Sequence, residues 1–151
     1  MIKQSGSCRC GSSKFAVNGE SLCRFFCHCT ICQSVYKKPF ADVTAFRARD
    51  VELPMNSKVE FKRLRAPPAV NRGICPDCNS PVVGFLSLIP GMSVGFVPSA
   101  NFQDRSELPE SFAHIFYQSR AGDVSDAVPK VSGYWRSEWA VAQNLIAAFS
   151  R

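Results

Sequence analysis

The stretch Cys27-His28-Cys29-Thr30-Ile31-Cys32 gathers three thiols on a short piece of chain. Two more cysteine groups flank it, Cys8-Arg9-Cys10-Gly11 upstream and Cys75-Pro76-Asp77-Cys78-Asn79 downstream. Spacings of Cys-x-Cys and Cys-x-x-Cys allow two thiolates to face one metal ion. A disulfide would instead have to reach past a near neighbour to a distant partner. The clustering therefore predicts metal binding.

The downstream group has the form of a zinc knuckle. The residue after the second cysteine of such a turn often has a positive φ, for which asparagine, here Asn79, is the next best choice after glycine. A structural zinc ion takes four closed ligands, so the two knuckle thiols need a second pair, which the upstream group supplies. We therefore predict one structural site with four thiolates, from Cys8, Cys10, Cys75 and Cys78.

The three thiols that remain together are Cys27, Cys29 and Cys32. Three protein ligands with one open position are typical of a catalytic zinc. The alternative is that Cys23 or His28 closes this site as well. Cys23 would lie roughly 13 Å from Cys27 on an extended strand, so we expect it to be a small buried apolar residue instead. His28 stands between two proposed ligands, and its side chain is expected to point away from the metal.

A zinc ion held by three thiolates carries a formal net charge of −1, which makes it a weaker Lewis acid than a zinc held by neutral histidines. A soft incoming thiol suits such a site better than a water molecule, so sulfur chemistry is favoured over hydrolysis. A nucleobase deaminase would need a His-x-Glu sequence, whereas His28 is followed by Cys29 and Thr30. A thioredoxin-like Cys-x-x-Cys would need a βαβ context, which the strand-rich surroundings of Cys75 do not offer.

The sequence predicts a mainly β fold in a single domain, residues 1–151, with short helices and a C-terminal helix. Asn18-Gly19 is typical of a type I′ turn, which would pair Val17 with Glu20 and bring Cys10 opposite Cys27. Pro90-Gly91 predicts a second turn. Helical spacing of apolar residues predicts a helix over Ser137–Phe149, with Ser137 as its cap. Further strands are predicted at Val43–Arg49, Val59–Leu64, Val82–Leu88, Met92–Val97 and Ala113–Tyr117.

Composition excludes several classes of protein. The 151 residues are 46% hydrophobic and 20% charged, which is ordinary for a globular chain. No apolar run approaches the roughly 18 residues of a membrane helix, and no apolar segment of a signal peptide is found, so a cytoplasmic protein is expected. The net charge of +6 suits anionic partners. The basic segments Lys37-Lys38 and 62–65 lack interleaved aromatics and a recognisable motif, which disfavours a nucleic-acid partner.

Taken together, the cysteine groups resemble those of the glutathione-dependent formaldehyde-activating enzyme family, which also includes the centromere-protein-V-like proteins. The resemblance rests on residues 6–11, 27–32 and 74–78, covers about residues 4–84, and continues more weakly through 114–116 and 128–130. It implies a β-rich fold of the β-tent type. It also implies a structural zinc held by Cys8, Cys10, Cys75 and Cys78. A second, substrate-side zinc is implied at the catalytic group Cys27, Cys29 and Cys32.

The activity that the resemblance implies is that of a carbon–sulfur lyase acting on S-hydroxymethylglutathione, the adduct of formaldehyde and glutathione. The second zinc would hold the glutathione sulfur. Tyr36 and Lys37 stand where the family often has a small Ser-Gly pair. The alternative, by analogy with the centromere-protein-V-like members, is a non-catalytic interaction module stabilised by zinc.

Residues around the metal sites are candidates for substrate contacts. Glutathione carries two carboxylates, so basic side chains should help to bind it; the candidates are Lys37, Arg63 and Arg65. His114 and Tyr117 are candidate proton donors. Each of these residues also fits an ordinary role, as a solvated charge or as a packed core residue.

Overall fold

The computed structural model describes residues 3–67 and 69–151. It is mainly β, as predicted, with a short internal helix and a longer C-terminal one. The helices are α1 (Thr30–Tyr36) and α2 (Tyr134–Phe149). In chain order the strands are β1 (Lys3–Ser7), β2 (Lys14–Asn18), β3 (Ser21–Cys27), β4 (Ala41–Arg47), β5 (Val51–Glu52), β6 (Glu60–Lys62), β7 (Asn71–Ile74), β8 (Pro81–Ile89), β9 (Met92–Pro98) and β10 (His114–Ile115).

The described strands form two sheets. The smaller sheet has the order β1-β2-β5, and the larger one has the order β10-β3-β4-β9-β8-β7-β6. Neighbouring strands are antiparallel except β10 and β3, which run parallel and pair His114 with Phe26 and Ile115 with Cys27. Neither helix in the described part of the chain is long and apolar enough to span a membrane.

Strand β4 shows how the core is divided, because its side chains alternate between the two faces of the larger sheet. Val43 and Ala45 face a cluster that α2 covers with Leu145, whereas Phe46 faces a cluster shared with the smaller sheet. The thiols divide in the same way. Cys27 and Cys32 belong to the α2 side, and Cys8, Cys75 and Cys78 belong to the side of the smaller sheet.

The predicted hairpin between β2 and β3 is wrong. Strand β2 pairs with β1 and β5, while β3 pairs with β4 and β10, so the two strands lie in different sheets. Neither Asn18 nor Gly19 has the positive φ that a type I′ turn requires, although Gly11 in the β1–β2 turn has one of 83°. The predicted pairing of Cys10 with Cys27 is therefore wrong as well. Cys10 lies with Cys8, Cys75 and Cys78, whereas Cys27 lies with Cys29 and Cys32.

Other predicted elements are confirmed with shifted ends. All five later strands are present, and Gly91 has a φ of 86° in the tight turn from β8 to β9. The C-terminal helix begins three residues earlier than predicted, after Gly133. Ser137 is therefore not its cap. Its buried hydroxyl instead accepts a hydrogen bond from the backbone N–H of Phe116, which fixes α2 to the segment after β10.

A prediction concerns Gly6, where β1 passes close to the backbone beyond β9. A Cβ at this position would overlap the carbonyl oxygen of Asn101 and the ring of Phe15. We expect Gly6→Ala to lower the free energy of unfolding by about 1–3 kcal/mol, measured by urea denaturation. Gly122→Ala is the control, since its Cβ would meet nothing within 4 Å. Equal stability of the two variants would contradict the packing described here.

Candidate metal centres

Two turns bring four thiols together between the sheets. Cys8 and Cys10 lie in the β1–β2 connection of the smaller sheet, and Cys75 and Cys78 lie in the β7–β8 connection of the larger sheet. Their four sulfur atoms all lie within 4.8 Å of one another. The Sγ of Cys10 is 3.6 Å from that of Cys8 and 3.7 Å from that of Cys75. The group predicted as one four-thiolate site is thus assembled in space.

These spacings fit a tetrahedral thiolate site. Zinc–sulfur bonds of about 2.3 Å place neighbouring sulfur atoms of a tetrahedron about 3.8 Å apart. All eight cysteines lie in the described part of the chain, and each is a free thiol. Four sulfur donors at this separation, with Cys8 and Cys75 buried, could hold one metal ion.

Backbone hydrogen bonds shape both turns around the sulfur atoms. The N–H of Ser13 donates to the Sγ of Cys8 at 3.4 Å, and the N–H of Asn79 donates to the carbonyl oxygen of Cys75 at 2.8 Å. Asn79 has a φ of 58°, which confirms the conformation predicted for the position after the knuckle. A positive φ there turns the chain back into β8, so that Cys75 and Cys78 present their thiols to the same point.

The second group combines the end of a strand with the first turn of a helix. Cys27 ends β3, Cys29 caps α1, and Cys32 lies inside α1. The Sγ of Cys29 accepts a hydrogen bond from the backbone N–H of Cys32 at 3.3 Å, which ties the cap to the helix. The three sulfur atoms lie within 4.8 Å of one another and could hold a second metal ion.

The three thiols of this group differ in pKa. Hydrogen bonds from Cys27 and then Cys32 lower the pKa of Cys29 to about 3, so one thiolate is present at neutral pH. The pKa of Cys27 is raised well above its usual range because its thiol donates to Cys29. The guanidinium of Arg72 adds positive charge, with its Nη2 atom 3.8 Å from the Sγ of Cys32. The pKa of Cys32 is raised as well, to about 11, so the group favours a single thiolate at Cys29.

Cys23 and His28 lie outside both groups, as expected. Cys23 is buried in the apolar cluster beneath α2, and burial raises the pKa of its thiol to about 12. The ring of His28 is buried between Phe40 and Tyr117, and its Nε2 atom lies 2.8 Å from the Nδ1 atom of His114. Neither residue joins the three-thiol group in the described structure, which leaves that group with three protein donors.

His28 begins a chain of polar contacts, buried at its two histidines, that the sequence did not predict. The Nε2 atom of His114 lies 2.9 Å from a carboxylate oxygen of Asp126, which Lys130 also contacts. Because the carboxylate accepts, His114 donates through Nε2 and accepts from the Nε2–H of His28. Burial, with the neighbouring His114, lowers the pKa of His28 to about 4, so its ring is neutral at pH 7. These contacts hold the segment between Cys27 and Cys29 against β10.

A cleft of about 620 Å³ opens onto the three-thiol group. Its described lining includes all three sulfur-bearing residues and the charged side chains of Arg65, Arg72 and Glu138. Arg65 donates to the phenol oxygen of Tyr134 at 2.8 Å. Burial raises the pKa of Glu138. The size of the cleft is ordinary for a small-molecule site.

Only one of the residues predicted to contact the substrate or to donate a proton lies on the described lining of this cleft. Arg65 is among the described lining residues, whereas Lys37, Arg63, His114 and Tyr117 are not. Lys37 instead ends α1 with a φ of 53°. Arg72 is the basic residue that the sequence analysis missed, and its strand neighbours give no local sign that it faces a thiol.

Residues 3–119 match the family model described as glutathione-dependent formaldehyde-activating enzyme. That match covers more than half of the 151 residues. The chain belongs to this family. Membership of the glutathione-dependent formaldehyde-activating enzymes indicates an enzyme whose chemistry is related to glutathione and formaldehyde. A search of curated proteins gives no match.

Cysteine variants should separate the two candidate metal centres. Cys75→Ser should unfold the chain, because metal binding at a structural site contributes about 10–16 kcal/mol, as much as a typical domain's whole stability. Cys32→Ser should keep the circular dichroism spectrum of the parent and bind one metal ion fewer. Cys23→Ala, the control outside both groups, should keep both ions and lose less than about 1.5 kcal/mol. Equal collapse of Cys75→Ser and Cys32→Ser would contradict this division.

The histidine chain gives a separate prediction. Asp126→Ala should lower the thermal unfolding midpoint by several degrees at pH 7, because the buried Nε2–H of His114 loses its acceptor. The contacts of Asp126 with Lys130 and His114 lower its pKa to about 2. Its stabilising effect is therefore complete above pH 3.8 and is lost as the pH falls towards 2. Asp123→Ala, at an exposed ion pair with Arg120, is the control and should change the midpoint little. A similar unfolding midpoint for both variants would contradict the hydrogen-bonded chain from His28 through His114 to Asp126.

Proposed function

We propose that this protein is a zinc-dependent carbon–sulfur lyase that acts on a thiol adduct, with S-hydroxymethylglutathione as the simplest substrate. The observation that carries the proposal is that three converging thiols, without a fourth protein donor among the described residues, line a cleft of small-molecule size. Family membership supports the link to glutathione and formaldehyde.

In this proposal Cys8, Cys10, Cys75 and Cys78 hold a structural zinc, and Cys27, Cys29 and Cys32 hold the substrate-side zinc. When bound, the second zinc supplies a soft Lewis acid that stabilises sulfur as thiolate. In the forming direction, the substrate sulfur bonds to the aldehyde carbon, and the carbonyl electron pair moves to oxygen, which takes up a proton. In the reverse direction the carbon–sulfur bond breaks, the hydroxyl loses its proton and the sulfur leaves as thiolate.

The chain's own residues would bind and orient the substrate. Arg72 lies beside the three-thiol group and Arg65 lies elsewhere on the cleft lining, so the two guanidinium groups can meet carboxylates of glutathione. Glu138 is the one carboxylate on the described lining, and burial raises its pKa, so we propose it as the proton-exchanging group of the cleft. Eight free thiols suit a reducing compartment, and we propose the cytoplasm.

Cobalt substitution tests the proposal without depending on turnover. Glutathione should change the thiolate-to-metal absorption of the cobalt protein, because its sulfur enters the open position of the second site. Cys32→Ser, which keeps the four-thiol site, should lose the response. Absence of any change at millimolar glutathione would contradict the proposal and would favour a non-catalytic interaction module stabilised by zinc.

Arg72→Gln should weaken glutathione binding by about tenfold or more, because a charged hydrogen bond is lost from the cleft. Arg63→Gln is the matched control, since Arg63 is an exposed arginine outside the described lining. Isothermal titration with glutathione measures both. Equal weakening in the two variants would show that general positive charge, rather than the position of Arg72, accounts for the affinity.

A further inference from the structure

The cleft beside the three thiols is lined mostly by apolar side chains. Three of its described lining residues carry a formal side-chain charge outside the thiol group, and most of the others are aliphatic or aromatic. The apolar surface continues outward to large side chains that are exposed at the rim; these are Leu64, Leu88, Tyr134 and Trp135. Exposed apolar side chains that continue a cleft are typical of a site for an apolar ligand.

The rim owes much of this character to α2. Trp135 is 79% exposed and lines the cleft, and Val141 and Leu145 line it from the same helix. The family match ends at residue 119, before α2 begins at Tyr134. The side of the apolar wall that α2 supplies therefore lies beyond the part of the chain that carries the family pattern.

The charged groups on the described cleft lining are few. Glutathione has two carboxylates and one ammonium group, whereas the described lining offers Arg65, Arg72 and Glu138. Arg65 is hydrogen-bonded to Tyr134, and Arg72 is directed towards Cys32.

We propose that the cleft selects thiol adducts with an apolar group close to the sulfur, on the thiol or on the aldehyde carbon, such as the hemithioacetal of an alkyl or aryl aldehyde. This inference rests on the proposed function and narrows its substrate class. The reaction keeps the same balance: the thiol sulfur bonds to the aldehyde carbon, the carbonyl oxygen becomes a hydroxyl, and no oxidant or reductant is needed. The apolar group lies along the wall formed by β8, α2 and the segment around Leu64.

Binding of simple thiols to the cobalt-substituted protein tests this selection. Ethanethiol, butanethiol, hexanethiol and glutathione are titrated, with thiolate-to-metal absorption reporting sulfur at the metal. Affinity should rise from ethanethiol to hexanethiol by up to about fourfold per methylene, and hexanethiol should bind more tightly than glutathione. A flat series with glutathione tightest would overturn the apolar selection and leave the proposed lyase function standing. Absence of a response to every thiol would overturn both.

Matched variants test whether the side chains of the apolar wall cause the preference for longer alkanethiols. Trp135→Ala and Leu88→Ala should each weaken hexanethiol binding about fivefold or more and leave ethanethiol binding unchanged. The controls are Trp139→Ala and Ile89→Ala, at exposed residues close by that lie outside the described lining. They should leave the binding of both thiols unchanged. Equal losses in the test and control variants would overturn the assignment of this wall.

Discussion

The meeting of four thiols between two turns is the constraint on which the rest of the structure depends. One turn closes the β1–β2 hairpin of the smaller sheet and the other closes the β7–β8 hairpin of the larger sheet, so the sulfur cluster joins parts of the chain that are distant in sequence. Cys8 and Cys75 are also members of the apolar cluster that fills the space between the sheets. A metal ion held there would stabilise the contact of the two sheets and the packing around it at once.

The three-thiol centre has a different construction and a different consequence. Its donors come from the end of β3 and the first turn of α1. The contact between His28 and His114 holds the segment between Cys27 and Cys29 against β10. The open side faces a cleft whose apolar wall is supplied by β8, α2 and the segment around Leu64. The four-thiol group and the three-thiol group thus lie on opposite faces of the larger sheet.

Local patterns predicted the parts that short-range chemistry determines. The grouping of the cysteines, the positive φ of Asn79 and the tight turn at Gly91 each depend on a few neighbouring residues. The predicted β2–β3 hairpin is absent because β1 and β5 occupy the two edges of β2, and these are long-range pairings that Asn18-Gly19 does not determine. The hydrogen-bonded chain of His28 and His114 and the position of Arg72 beside Cys32 arise from contacts between segments distant in sequence, so no local spacing predicts them.

X-ray absorption at the zinc edge, combined with elemental analysis of reduced protein, tests the central claim most directly. The account predicts two zinc ions per chain, with sulfur as the main ligand at about 2.3 Å and one lighter or exchangeable ligand at the second ion. Protein that contains no zinc, or zinc bound mainly by nitrogen and oxygen, would contradict it.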